Sequence, residues 1–139
     1  MSGEFLGFDH IDCRVRSLPA VEAFYDDLMP ELGLSEKRYA YVDPDGEWHD
    51  EFESYNTVEY YEPEHPTKPR RFFGVIENPL HRLNDTRIAF RVRVADLTSL
   101  QSLLKRLGAQ NIEVSEDSTY RALFFEDPLG TRLEFIGRE

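Results

Sequence analysis

Two heptapeptides, HIDCRVR at 10–16 and RIAFRVR at 87–93, set side chains capable of chemistry at alternate positions. In the first, His10, Asp12 and Arg14 alternate with Ile11, Cys13 and Val15. Period two marks a strand with one face on a core, so the polar set shares the other face. Near the end of the chain Glu134 stands between Leu133 and Phe135 in the same way. An imidazole or a carboxylate can move a proton or donate a lone pair to a cation. Arg87 can do neither: its guanidinium stays protonated and has no free lone pair. Its planar fork instead suits a carboxylate, phosphate or enolate.

By parity His10, Asp12, Arg14, Arg87, Arg91 and Glu134 are expected to point inward together. Buried charges cost on the order of several kcal/mol each unless paired. That face must therefore be wet, filled by a charged ligand, or internally paired, with Arg14 and Arg91 meeting Asp12 and Glu134. Glu134 or His10 could then act as a general base and Arg87 as an oxyanion stabiliser.

The elements that would position these residues repeat. The strand at 7–15 leads into SLPAVEAFYDDLMPELGL, read as a helix with Ser17 as N-cap, Pro19 in its first turn, Pro30 near its end and Gly33 at the stop. Strands are expected at 34–42, 57–63 and 70–78, with DPDGEWHD as a turn. NPLHRLND is the linker. The second half runs strand 86–94, then helix DLTSLQSLLKRLGA with Asp96 as N-cap and Gly108 at the stop, then strands in NIEVSEDS, YRALFFEDP and GTRLEFIG. Each half is thus strand–helix–strand–strand–strand. His10–Arg16 aligns with Arg87–Arg93, the mark of a duplicated unit. Module one spans about 5–78, the linker 79–86 and module two 87–138, all within a single domain of 1–139.

The formal net charge is −11, and the stretch 43–64 holds nine acids and no Lys or Arg. Such a chain is expected to repel nucleic acid and anionic membrane. No apolar run approaches the length of a membrane span, and the opening MSGEFLGFDHID does not read as a signal peptide, so a cytoplasmic protein is expected. Cys13, the one cysteine, excludes an internal disulfide and is expected to be buried and inert. His49, with Asp50 and Glu53, reads as a solvated loop; His65 and His81 read as surface. Trp48, Tyr55, Tyr60 and Tyr61 could line or cover a pocket or simply pack.

Paired βαβββ modules, an opening FDHIDCRVRSLPAVEAFY, a strand RIAFRV and a close FFEDPLGTRLEFIG resemble the glyoxalase I/bleomycin-resistance/extradiol-dioxygenase group, the vicinal oxygen chelate superfamily. The most specific part is the pattern of Asp127, Pro128, Gly130 and Glu134. The resemblance implies an α+β fold: two tandem modules, a curved mixed sheet around a pocket, helices outside. It implies a homodimer, a small-molecule ligand and, in metal-using members, a divalent ion such as nickel, zinc, manganese or iron. That ion would be held by a His on the first strand, a His or Glu on the fifth, a Glu on the eighth and sometimes a residue on the fourth. His10 and Glu134 fall at two of these positions. Arg87 falls at the fifth-strand position, Gly74 at the fourth, and Glu77 has the wrong parity.

Catalytic His10, Glu134 and Arg87, ligand-binding Arg14, Arg91, Asp12 and Trp48, and an incomplete metal pair His10 and Glu134 are therefore the expected site. The favoured reading is a binder of a small anionic or oxygen-rich molecule in the pocket expected between the modules, without a complete metal site. The alternative is a metal-dependent lyase, isomerase or dioxygenase that uses His10 and Glu134.

Overall fold

The computed structural model describes residues 3–139. Nine strands and two α-helices follow in the order β1 (His10–Val15), α1 (Glu22–Leu28), β2 (Glu36–Val42), β3 (Trp48–Asp50), β4 (Thr57–Tyr61), β5 (Phe72–Glu77), β6 (Arg87–Val92), α2 (Leu97–Leu107), β7 (Gln110–Val114), β8 (Ala122–Glu126) and β9 (Arg132–Gly137). The strands form two sheets, β1-β5-β4-β2-β3 and β6-β9-β8-β7. This is the expected two-module α+β architecture, with each half following the same element order. The addition is β3, which lies in the segment expected to be all turn. Asp43 and Gly46 close the turn, and Val42 then pairs with Trp48.

Most strands are shorter than the sequence suggested. The first helix also begins later. The N–H groups of Val21 and Glu22 both bond Leu18 O, so the chain turns once before Glu22, and Ser17 does not cap the helix. Pro30 lies in a 3-10 turn, Met29–Leu32, that closes it, and Gly33 (φ 83°) ends the segment as expected. Asp96 stands at the N-cap position of α2, but its backbone is already helical and its side chain makes no capping bond. Gly108, left-handed at φ 82°, ends α2, with Ala109 N–H returning to Leu104 O.

Contacts divide the chain into two units. One comprises the described part of Met1–Arg14 with Met29–Glu77; the other comprises Val15–Leu28 with Asn78–Glu139. In the first unit Ala40, Val58, Tyr60, Phe73 and Val75 are buried, on strands whose partners fix which face turns inward. In the second, Leu123, Phe125, Leu133 and Phe135 are buried, together with Leu97, Leu100, Leu103 and Leu104 of α2. Helix α1 packs on α2. Its Tyr25, fully buried, donates its hydroxyl to Asp127 Oδ2 at 2.7 Å. Asp127 Oδ1 accepts the N–H groups of Leu129 and Thr131, so the Asp-Pro-Leu-Gly turn between β8 and β9 is tied from inside. No helix among the described residues is long and apolar enough to cross a membrane.

Candidate functional sites on the two sheet faces

On the first sheet, ladder register sets Phe72 beside Tyr61 and Gly74 beside Glu59. Tyr61 in turn lies beside Glu36, and Glu59 beside Arg38. His10 stacks on Phe72 with ring centroids 4.4 Å apart and planes within 5°, and Phe72 stacks on Tyr61 at 4.5 Å. The guanidinium groups of Arg38 and Arg70 lie over the Tyr61 ring at 4.5 and 4.9 Å. The result is a row of rings crossing three strands and ending in cations.

Beside that row lies an acidic group. His10 Nδ1 is 2.7 Å from Asp9 Oδ2, and its Nε2 is 3.6 Å from Asp12 Oδ2. The hydrogen bond to Asp9 raises the His10 pKa above 6.5, and the charges of Asp12 and Glu59 add to it. Asp12 Oδ1 is buried with no hydrogen-bond partner among the described residues. It occupies the space a side chain at Gly74 would fill: a Cβ there would stand 2.6 Å from it. Glu59 is 8% exposed and accepts the Tyr61 hydroxyl at 3.4 Å. Burial, then the neighbouring Asp12 charge, pushes the Glu59 carboxyl above its usual value.

Of the other residues expected to bind ligand in this half, Arg14 is exposed on β1. Trp48 is 43% exposed on β3, at the opposite edge of the sheet from His10. Tyr60 faces the core, and Tyr55 packs edge-on against Tyr39. His49 bonds Asp43 at 2.9 Å and so ties down its own loop.

On the second sheet, Arg87 lies beside Arg132 and Ala89 beside Glu134. Across β9, Glu134 faces Phe124 and Arg132 faces Glu126. The Arg87 guanidinium reaches over the Phe124 ring, 4.7 Å from its centroid. Glu134 is 4% exposed and accepts the Tyr120 hydroxyl at 2.6 Å, a bond that raises the Tyr120 pKa. Tyr120 lies parallel to Phe124 at 6.5 Å, and the Arg138 guanidinium is 5.7 Å from the Tyr120 ring centroid. A cleft of about 480 Å³ opens on this face, lined among others by Arg87, Asn111, Glu113, Phe124, Glu126 and Arg132. Asn111, left-handed at φ 51° in an irregular stretch of β7, donates Nδ2–H to Glu126 at 2.9 Å. Arg132 meets the fully exposed Asp85 at 3.3 Å. Arg91 is exposed farther along β6.

Parity along each strand puts Arg87 and Arg91 on one face of β6 and His10 and Asp12 on one face of β1, and register sets Glu134 on the strand beside Arg87. Parity did not single out Phe124, Tyr120, Glu59, Glu113 or Asn111. The register would have exposed the first: Phe124 alternates with the buried Leu123 and Phe125, so it shares the Glu134 face.

No family model and no curated protein matches the chain in sequence. Solved structures do match over nearly the whole length. A glyoxalase/bleomycin resistance protein from Albidiferax ferrireducens is 16% identical, with TM-score 0.65, covering 95% of this chain and 98% of that one. The chain has the glyoxalase/bleomycin-resistance fold. A putative glyoxalase from Bacillus halodurans (19% identical, TM-score 0.63, 94% of each chain) shares it. So does a mutant of the fosfomycin resistance protein FosX from Listeria monocytogenes (18%, 0.61, 98% of this chain and 95% of that), solved with Mn(II) and 1S,2S-dihydroxypropylphosphonic acid. At these identities the likeness carries the glyoxalase fold and not the reaction.

The manganese in that neighbour raises the question of whether this glyoxalase-fold chain fits a divalent ion. Among the described residues no three His, Cys, Asp or Glu side chains form a metal-holding group. His10 and Asp12 supply two donors in the first unit, where a catalytic site usually has three protein ligands. In the second unit the carboxylate of Glu134 is held by Tyr120, and Arg87 brings a fixed positive charge that would repel a cation. The residues within either unit do not fit the ion.

Proposed function

We propose that this protein binds a small anionic molecule in the cleft of its second sheet, with Arg87 as the principal contact. The observation that carries the reading is the Arg87 guanidinium held over Phe124 at the cleft. No acid pairs with Arg87 among the described residues, so its fork stays available to a ligand. Arg132 and Arg91 add positive charge along the same strands. If the ligand is transformed, Glu134 is the base on this sheet and Arg87 the stabiliser of an oxyanion.

The test is an NMR titration with N-acetylleucine, a carboxylate, and propylphosphonate. Shifts should centre on Arg87, Phe124 and Arg132 and vanish in Arg87→Gln. Absence of shifts with both anions would sink the reading. The homodimer that the resemblance implies belongs to the same proposal; a monomer mass by sedimentation equilibrium would remove it.

A second reading is a metal-dependent lyase, isomerase or dioxygenase using His10 and Glu134, and the Mn(II) in the FosX neighbour speaks for it. Elemental analysis after loading with nickel, zinc, manganese or iron(II) separates the two. Near-stoichiometric metal that is lost in both His10→Ala and Glu134→Ala would favour the second reading.

A further inference from the structure

The cleft on the second sheet is lined by acids as well as bases. Arg87 and Arg132 come from β6 and β9; Glu113 and Glu126 come from β7 and β8. Positive charge thus occupies one side of the sheet and negative charge the other, with Phe124 between. Two of the four are already engaged, Arg132 with Asp85 and Glu126 with Asn111. The other two, Arg87 and Glu113, have no ion-pair partner among the described residues. They flank the same ring. Arg87 lies over Phe124, and Glu113 is the cross-strand neighbour of Phe124 on β7.

A guanidinium thus lies over the Phe124 ring, and a carboxylate-bearing residue stands beside Phe124 on the neighbouring strand. Resting on the reading of this cleft as an anion site, we infer that its ligand is a small zwitterion. Its carboxylate meets Arg87, its ammonium meets Glu113, and its apolar part lies on Phe124. A short peptide with free termini has this chemistry: opposite charges a few bonds apart around an apolar side chain. A dianion does not, because Glu113 and Glu126 would repel its second charge. The cleft's volume of about 480 Å³ exceeds what a simple inorganic anion needs.

Three probes separate the charges while holding shape nearly constant. Glycylleucine is the zwitterion, N-acetylleucine is the same molecule without its amine, and glycine 3-methylbutylamide is the same molecule without its carboxylate. Calorimetry or NMR titration on the full chain should show glycylleucine binding at least about tenfold tighter than N-acetylleucine, a difference of about 1.4 kcal/mol. Glu113→Gln should abolish that preference by weakening glycylleucine and not N-acetylleucine. Arg87→Gln should weaken both. Both residues are exposed, so neither substitution threatens the fold.

Equal affinity for glycylleucine and N-acetylleucine in the wild type would overturn the zwitterion and leave the anion site standing. So would a preference that persists in Glu113→Gln. Binding of the amide alone, or of none of the three, would overturn both.

Discussion

Gly74 and Glu134 occupy matching positions in the two sheets, beside Glu59 in one and Phe124 in the other. In the second sheet the carboxylate stands on the last strand, flanked by Ala89 and Phe124, and takes the hydroxyl of Tyr120. In the first sheet that central position is empty of side chain, and the carboxylates stand on both neighbours, Asp12 and Glu59. Asp12 leans into the space Gly74 leaves. At the next matching pair, His10 is neutral or cationic with pH, while Arg87 is a permanent cation. The two modules share the positions and differ in what stands there. One face carries an acid-rich group around His10; the other carries a cleft lined by side chains of both signs.

The turns preceding the last strand of each sheet differ in the same spirit. Asp127 is wholly buried and accepts three donors, whereas Glu62, at the matching place, pairs with Arg71 near the surface. Replacing Asp127 with Ala leaves two N–H groups and a buried phenol without an acceptor, at a cost of about 3 kcal/mol or more in a urea denaturation series. Glu62→Ala should cost under about 1 kcal/mol, because water screens the pair. Equal losses would show that burial does not separate the two turns.

Gly74→Ala should cost about 2 kcal/mol, since its Cβ would meet Asp12 Oδ1 at 2.6 Å. Most of that loss should disappear in the Asp12→Ala background. If it persists there, the vacancy at Gly74 serves something other than Asp12.

The smallest expected effect is a change in pH dependence. The folded protein holds the Glu59 proton more tightly than the unfolded chain does, because burial and Asp12 raise its pKa. Glu59 therefore opposes folding at neutral pH. That opposition eases as pH falls through the raised pKa and is gone below the ordinary value of 4.5. Relative to wild type, Glu59→Gln should be more stable at neutral pH, and the gap should close on acidification. A gap that widens instead would mean that Glu59 is held as a carboxylate, by Arg38 for example. Tyr120→Phe offers the counterpart on the other sheet, where loss of one hydrogen bond to Glu134 should cost about 1 kcal/mol.

Much of the fold was legible in the chain. Alternation in HIDCRV, RIAFRV and RLEFIG located three strands and the face each polar residue takes, and the Leu stripe with Gly108 located α2 and its end. The resemblance carried by FFEDPLGTRLEFIG agreed with the fold found among solved structures. The helix start at Ser17 was not legible, because a cap-forming residue can equally open a turn. The strand β3 was not legible either, since Trp48–Asp50 gains strand geometry only from pairing with β2. For the site, parity placed Arg87 and Glu134 together on one face but could not name their neighbours across the sheet.

Periodicity and turn chemistry are local, set by the backbone geometry of a few consecutive residues, and by themselves they located most of the strands and which polar residues share a face of one strand. Which charge meets which partner was decided only by tertiary structure. Register laid Phe124 under Arg87, set Glu113 beside it and let Asp12 fill the space over Gly74. Tyr120 reached Glu134 from a loop, and Tyr25 reached Asp127 across 102 positions of sequence. Contacts of that kind depend on long-range pairing and burial, which no window of neighbouring residues encodes.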